Sequence, residues 1–541
     1  MLRSLKLAIT VLAVTFFVAS ALVGALAGAS SRPEQGTPEL RPLTEQEKRG
    51  RAIYLRGESA AGRKIVAVVG ELDVPSSTVT CAGCHGARGE GKTEGGVTAG
   101  NLTWSHLLKP YGHTHPTGRK HGPFNESSFI LAVTQGVDPS GNDLLVAMPR
   151  YRISAEDMAD LIAYLKRIEK DFDPGLNDTS MKIGVVLPSK GALAESGAAM
   201  KDVLAAYLDS VNSRGGIYNR KIELRVAEVG DEAAITAAAA RAFARQEQVF
   251  AFVGGVSAGA DAELAELARD QEIPFVAPST IMPQTGSPPN RYVFYLLPGV
   301  AEQTRALVNF AASKTELKKM RAAIVYTENT LTVAASSAAD DQAQKAGWSA
   351  ITKQAYKPNK FDAARAARRL KQEGAEAVFF FGAGGEEAAL IKEAAALGWT
   401  PHFFFLGVMT GRDLLGVVPT AFKGKIFLAY PTVPADLTPE GVSEFRALRE
   451  KYHVAPRHTA AQLSAFAAAK IFVEGLQRAG RELSREKLIT ALESLYDFET
   501  GVTPRLTFGP NRRVGAAGAY VVMIDTEKKE FALASEWIKA Y

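Results

Sequence analysis

Apolar and polar positions fall into three patterns along the chain. Residues 7–30 contain no charged side chain. Residues 44–170 carry helical signals at both ends. Thr44 to Glu47 and Ser154 to Asp157 are capping patterns, predicting helices from residue 44 to about 55 and from 154 to about 168. Met158, Leu161, Ile162 and Leu165 form an apolar stripe on the second. Gly50 and Tyr54 share a face of the first, where glycine permits a close crossing. Residues 65–69 form a short strand-like run with no evident role. From Met181 onward, apolar runs alternate with amphipathic stretches. The runs at 182–187, 221–226, 249–253 and 273–276 are separated by helices at about 197–213, 232–247 and 258–270. The rhythm restarts at 322–326, 378–382, 403–406 and 426–430. Continuous apolar strands between helices predict parallel sheets covered on both faces, here two similar α/β lobes joined by several crossings. Helices follow at about 440–451, 459–477 and 485–495. Residues 505–508 and 520–524 read as antiparallel strands around Gly509-Pro510-Asn511.

The first pattern predicts export. Arg3 and Lys6 precede the apolar run, and Ala27-Gly28-Ala29 suits a cleavage site. The run also reaches the ~20 residues that span a bilayer. Two readings stay open: a cleaved signal peptide, or an anchor to the inner membrane. Either places the remainder in the periplasm. Proline-bearing residues 31–43 read as a tether, and 171–180 as a linker. The predicted organisation is therefore 1–30 export segment, 31–43 tether, 44–170 first domain, 171–180 linker and 181–541 second domain.

Composition narrows the chemistry. The 541 residues carry 63 basic and 58 acidic side chains, a net +5, with no basic face that would bind nucleic acid. The two cysteines, Cys81 and Cys84, precede His85. Cys-x-x-Cys-His is the pattern of c-type haem attachment: both thiols add to the haem, and the histidine ligates its iron. A redox dithiol lacks its strand–helix context, and a zinc site lacks further cysteines. One covalent haem c is expected, on Cys81 and Cys84, with His85 axial. Met148-Pro149, 63 residues after His85, offers a thioether as the second axial ligand. His106, His113, His115 and His121 are rival ligands. Otherwise, with Lys109, Arg119 and Lys120, they read as a solvated basic loop or a rim steering an acidic redox partner.

The order helix, Cys-x-x-Cys-His-Gly, loop, Met-Pro, helix resembles class I cytochromes c, as does the stretch 135–151 around Met148. The resemblance covers about 44–170 and implies a small all-α domain with His85 and Met148 axial. Leu187-Pro188-Ser189-Lys190-Gly191, Asn212 to Ile217 and Phe252 to Ser257 resemble type I periplasmic binding proteins, nearest the Leu/Ile/Val-binding branch. Thr500 to Phe508 resembles that branch's C-terminal turn. This resemblance covers 181–541 and implies a two-lobed α/β fold closing on a small ligand.

In such folds ligands meet strand C-terminal ends and helix N-termini. Ser189, Ser257, Ala258, Ser279 and Thr280 are the candidate ligand-binding residues, although Ser257, Ser279 and Thr280 read equally well as helix caps. The second lobe departs from the amino-acid binders: 406–409 holds no carboxylate to pair an ammonium, although Glu386 and Glu387 lie near the stretch 382–385. The expected ligand is thus not a branched-chain amino acid but a less charged or purely anionic molecule.

These readings combine into an exported haem c electron carrier fused to a solute-binding module, with a periplasmic or membrane redox partner. Ligand binding is expected to influence electron transfer. The alternative is a receptor for an ABC permease with a passenger cytochrome. An enzyme is not expected: Met148 would close the iron, and no Ser–His–Asp or dinucleotide motif stands out. Gly382–Gly385 lacks the lysine of a phosphate loop.

Overall fold

Thr44 closes a full capping box with Glu47, and helix α1 runs Glu45–Arg56. In this computed structural model, residues 43–541 are described, apart from Gly95, Asp231, Ser349, Ala350, Ala383, Arg412 and Asp413. The expected export segment and the tether up to residue 42 lie outside the described residues. Among the described residues, no helix is long and apolar enough to cross a membrane. The chain divides into two compact units between Asp171 and Phe172.

In the first unit, α1 is followed by strands β1 (Val66–Val69) and β2 (Leu72–Pro75) and by helix α2 (Cys81–His85). Hairpin β3 (Lys92–Glu94) and β4 (Val97–Ala99) and helix α3 (Trp104–Leu107) come next. A second hairpin, β5 (His113–Thr114) and β6 (Lys120–His121), leads to α4 (Glu126–Thr134), β7 (Arg150–Arg152) and α5 (Ala155–Leu165).

Helices α1 and α5 cross tightly. A Cβ at Gly50 would stand 2.0 Å from the carbonyl oxygen of Asp160. The Tyr54 and Tyr164 rings pack at 5.8 Å. Arg49 donates to Asp160 at 2.7 and 2.9 Å, and Arg63 to Asp157 at 2.9 and 2.8 Å, clasping the crossing. The helical core is not the whole unit, which corrects the all-α expectation. The apolar run at 65–69 forms β1, central in a three-stranded antiparallel sheet of order β2-β1-β7. Ala67 in β1 is fully buried against the core cluster, so the sheet extends that core.

The second unit opens with β8 (Ser180–Pro188), α6 (Ala194–Ser213), β9 (Lys221–Val229), α7 (Ala233–Glu247) and β10 (Ala251–Val253). It continues through α8 (Asp261–Asp270), β11 (Phe275–Val276), β12 (Val293–Phe294) and α9 (Val300–Ser313). The first lobe's five strands are all parallel, in the order β12-β11-β10-β8-β9. The residues read as a linker join this lobe: Leu176 is buried in its core, with Phe172 packed against it.

The second lobe's sheet holds β13 (Ala322–Thr327), β14 (Ile351–Tyr356), β15 (Ala377–Phe381), β16 (His402–Leu406), β17 (Ile426–Tyr430), β18 (Gly518–Asp525), β19 (Glu530–Leu533) and β20 (Ile538–Lys539). Its order is β14-β13-β15-β16-β17-β18-β19, with β20 also on β18. The first five are parallel; β18 to β20 are added antiparallel. The expected pairing of 505–508 with 520–524 does not form. Leu506 bridges Phe498 instead, and β18 pairs with β17. Helices Pro439–Lys451, Thr459–Ala479 and Arg485–Glu493 return to the first lobe's core. The chain thus passes between the lobes three times, before α9, after β17 and before β18.

Gly50→Ala would force a side chain into the backbone of α5, an overpacking cost of about 1–3 kcal/mol. The first unit's thermal transition is expected to fall; an unchanged transition would show that the helices do not meet at Gly50.

Candidate functional site

Helix α2 is a single short turn carrying Cys81, Cys84 and His85. Thr80 caps it, its hydroxyl accepting the Gly83 N–H at 3.2 Å. Both cysteines are free thiols, Cys84 exposed and Cys81 half-buried. Burial pushes the Cys81 thiol up to about 12. His85 is buried, and its Nδ1 stands 2.7 Å from the carbonyl oxygen of Gly100. A carbonyl only accepts, so Nδ1 carries the hydrogen and Nε2 keeps a lone pair. Burial also lowers the imidazole's pKa, opposed by the Gly100 bond, which favours the neutral ligand form. The turn is fixed from outside: the Tyr54 hydroxyl donates to the Gly86 carbonyl at 2.7 Å, and Tyr151 to Val79 at 2.8 Å.

Met148 is half-buried and packs, like Cys81, against the first unit's core cluster. Its loop is tightly ordered. Leu144 N–H donates to Gly136 at 2.7 Å, and Met148 N–H to Leu145 at 3.0 Å. Arg150 donates to the carbonyls of Leu144, at 3.0 Å, and Met148. A Cβ at Gly136, where φ is +75°, would lie 1.7 Å from Arg150 Nε. Leu145 and Val146, 50% and 75% exposed, are apolar side chains the protein leaves uncovered beside Met148. Two thiols one turn apart, a neutral imidazole with a free Nε2, a thioether and adjacent apolar surface form a donor set that fits a covalent haem.

The four other histidines are not a solvated loop. His106 and His113 stack at 4.0 Å, and His121 is buried. His115 Nε2 lies 2.9 Å from both His121 Nε2 and Arg119 Nη2. His113, His115 and His121 lie on the β5–β6 hairpin, with His106 of α3 stacked against it.

In the second unit, four of the five predicted ligand residues come together. Ser279 N–H donates to Gly255 at 2.9 Å, and Val256 bridges Ser279, joining the ends of β10 and β11. Ser257, Ala258, Ser279 and Thr280 share this edge; Ala258 has a φ of +46°. Ser189 is exposed at the end of the neighbouring strand β8, its N–H donating to Val229 at 3.0 Å. Ser257 and Thr280 do not cap α8, whose N-cap is Ala260 without a side-chain bond. Their hydroxyls lie close enough to Asp261, the first residue of α8, to act on its carboxyl. Burial raises the Asp261 carboxyl's pKa, offset by those two hydroxyls. Sequence reasoning passed over Asp261 because an acidic residue in a helix's first turn is ordinary. Its presence adds an acidic side chain to that edge.

In the second lobe, Asn329 caps the helix Thr330–Lys345, accepting from Thr332 N–H at 3.0 Å. Glu386 accepts from the Tyr356 hydroxyl. Glu387 is buried, and desolvation raises its pKa. A Cβ at Gly407 would meet the Tyr430 ring at 2.3 Å, so the two pack closely.

Comparison with known proteins resolves the lineage. Residues 180–529 match the profile of the periplasmic binding protein family. The chain belongs to that family. Residues 60–169 match the cytochrome c family, which implies haem c. The Leu/Ile/Val-binding protein homolog 8 of Brucella abortus is 23% identical over 352 residues, spanning 62% of this chain and 85% of that protein. The Leu/Ile/Val-binding protein BraC3 of Rhizobium johnstonii is 22% identical, spanning 62% and 89%. Among solved structures, a branched-chain amino acid ABC transporter protein from Thermus thermophilus with bound valine superposes with a TM-score of 0.53 at 20% identity, covering 67% of this chain and 97% of that one. A fatty acid ABC transporter substrate-binding protein from Thermomonospora curvata gives 0.52 at 19%, covering 68% and 95%. These likenesses show that the second unit has the type I periplasmic binding protein fold. The cytochrome c domain precedes it in the same chain.

Gly136→Ala should displace Arg150 and loosen the Met148 loop. Amide hydrogen exchange over 136–148 is expected to rise; unchanged protection would mean that Arg150 does not hold the loop.

Proposed function

We propose that this chain is an exported single-haem electron carrier fused to a periplasmic solute receptor. The observation that carries the reading is α2: two free thiols one turn apart beside a buried imidazole whose Nδ1–H is spent on Gly100. Cys81 and Cys84 would bind the haem, and His85 Nε2 and the Met148 thioether would hold its iron. The haem would supply one-electron transfer, and a His/Met pair would leave the iron no open position. The protein's own part is to keep His85 neutral, fix its ring and hold Met148 in place. Residues 1–30 would export the chain to the periplasm, as a soluble protein after cleavage or anchored to the inner membrane. Its partners would be a periplasmic or membrane redox protein and the bound solute.

At the first lobe's edge the solute would meet Asp261 between Ser257 and Thr280. An ammonium or hydroxyl group can donate to that carboxylate; a ligand carboxylate would be repelled. This reading departs from a branched-chain amino acid held by its carboxylate at that edge. A second reading is favoured by the relatives' names: an ABC-transporter receptor carrying a passenger cytochrome.

Met148→Ala is expected to abolish the Met-to-iron charge-transfer band and lower the midpoint potential; an unchanged spectrum would remove Met148 from the iron. Coupling is read by thermal shift with the solute that co-purifies, in oxidised and reduced protein. Unequal shifts are expected, since only differential binding moves an equilibrium. Equal shifts would favour the passenger cytochrome.

A further inference from the structure

The hairpin of β5 and β6 carries a hydrogen-bond pattern that two neutral imidazoles cannot satisfy. His121 Nδ1 lies 2.7 Å from the Gly122 carbonyl, which only accepts, so that nitrogen carries a hydrogen. His115 Nε2 lies 2.9 Å from Arg119 Nη2, which only donates, so it presents a lone pair. In the neutral form, His121 Nε2 would present a lone pair as well. Yet the two Nε2 atoms are 2.9 Å apart, a hydrogen-bond distance. One added proton resolves the conflict, with His121 as imidazolium donating Nε2–H to neutral His115.

Burial first, then Arg119 and His121, pushes His115 down to about 4, so His115 is the neutral partner. The groups facing the pair are His113, whose ring is 5.6 Å from His121 and 6.4 Å from His115, Arg119 and Asp138. Beyond His113 lie His106, Lys109 and Glu169.

Asp138 is the link to the haem side. It is buried, accepting from Arg119 at 2.5 Å and from the Ser140 and Asn142 backbones at 2.9 and 3.0 Å. Asn142 Nδ2 reaches back to the Lys120 carbonyl at 2.9 Å, and Gly122 N–H to Ser140 Oγ at 3.2 Å. The protonated pair, Arg119, Asp138 and the loop from Gly136 to Met148 form one connected network.

We propose that the proton held between His115 and His121 is a second functional site of the cytochrome domain, making Arg119 and Asp138 positioning residues for the Met148 loop and tying electron transfer to proton uptake. The proposal rests on the haem reading above. With haem held by those residues, an electron from a mediator would remove one positive charge, and the pair would take a proton from water more tightly in the reduced protein. The midpoint potential therefore falls as pH rises.

The test is a spectroelectrochemical titration of the full-length holoprotein between pH 5 and 8, with a chelator present. The wild type is expected to show a potential falling with pH by up to about 59 mV per unit, the tenfold factor for one electron. His121→Gln and His115→Gln should each flatten that slope while keeping the Met-to-iron band. Asp138→Asn should keep a slope but weaken the band. A flat wild-type slope, or an equal slope in both histidine variants, would overturn the proposal. A wild type without the band but with the slope would instead overturn the Met148 reading. Omitting the chelator and adding Zn²⁺ or Cu²⁺ separates the remaining option: stoichiometric binding abolished by His121→Gln would show a metal site and overturn the proton assignment.

Discussion

The first unit depends on one hydrogen bond, from His85 Nδ1 to the Gly100 carbonyl. It fixes the ring's tautomer and leaves Nε2 free as a ligand. That bond exists only if both partners are held. α2 is placed by Tyr54 on Gly86, and Tyr54 is placed by the close crossing of α1 and α5 at Gly50. The segment bearing Gly100 is tied by the Leu102 N–H to Gly89, at 2.7 Å. The geometry of one ring is thus inherited from helices whose ends are more than 100 residues apart in sequence.

The second unit works under a different constraint. With both cysteines in the first unit, its lobes hold without a disulfide. They do so by covering parallel sheets on both faces and by passing the chain three times between lobes. Phe379, Phe381, Phe403, Phe404 and Phe405 are all at most 1% exposed in the second lobe's sheet. The strand ends, freed from that packing, carry the polar chemistry. There Ser257 and Thr280 lie near Asp261, which puts an acidic group on that edge.

Much of this was legible in the sequence where the signal is local. The capping pattern at Thr44 forms a full box, Ser154 caps α5, and Cys-x-x-Cys-His forms its own helical turn. The apolar runs after Met181 became parallel strands because strand length and spacing are properties of a short window. What was missed depends on pairing across distance. The run at 65–69 finds its role only in Arg150–Arg152, and 520–524 finds its partner in β17 rather than in 505–508. Asp261 and the buried His121 were unreadable for the same reason. Nothing adjacent in sequence marks one as held by Ser257 and Thr280, or the other as facing His115.

The two units place a cytochrome c domain and a periplasmic binding protein domain on one polypeptide, and the central proposal is that the first carries one covalently bound haem. Intact-mass spectrometry of the full-length protein under denaturing conditions tests it most directly. The account predicts the polypeptide mass plus one haem, retained after unfolding and lost when Cys81 and Cys84 are both replaced by alanine. A mass without haem, or a haem released on unfolding of the wild type, would contradict it.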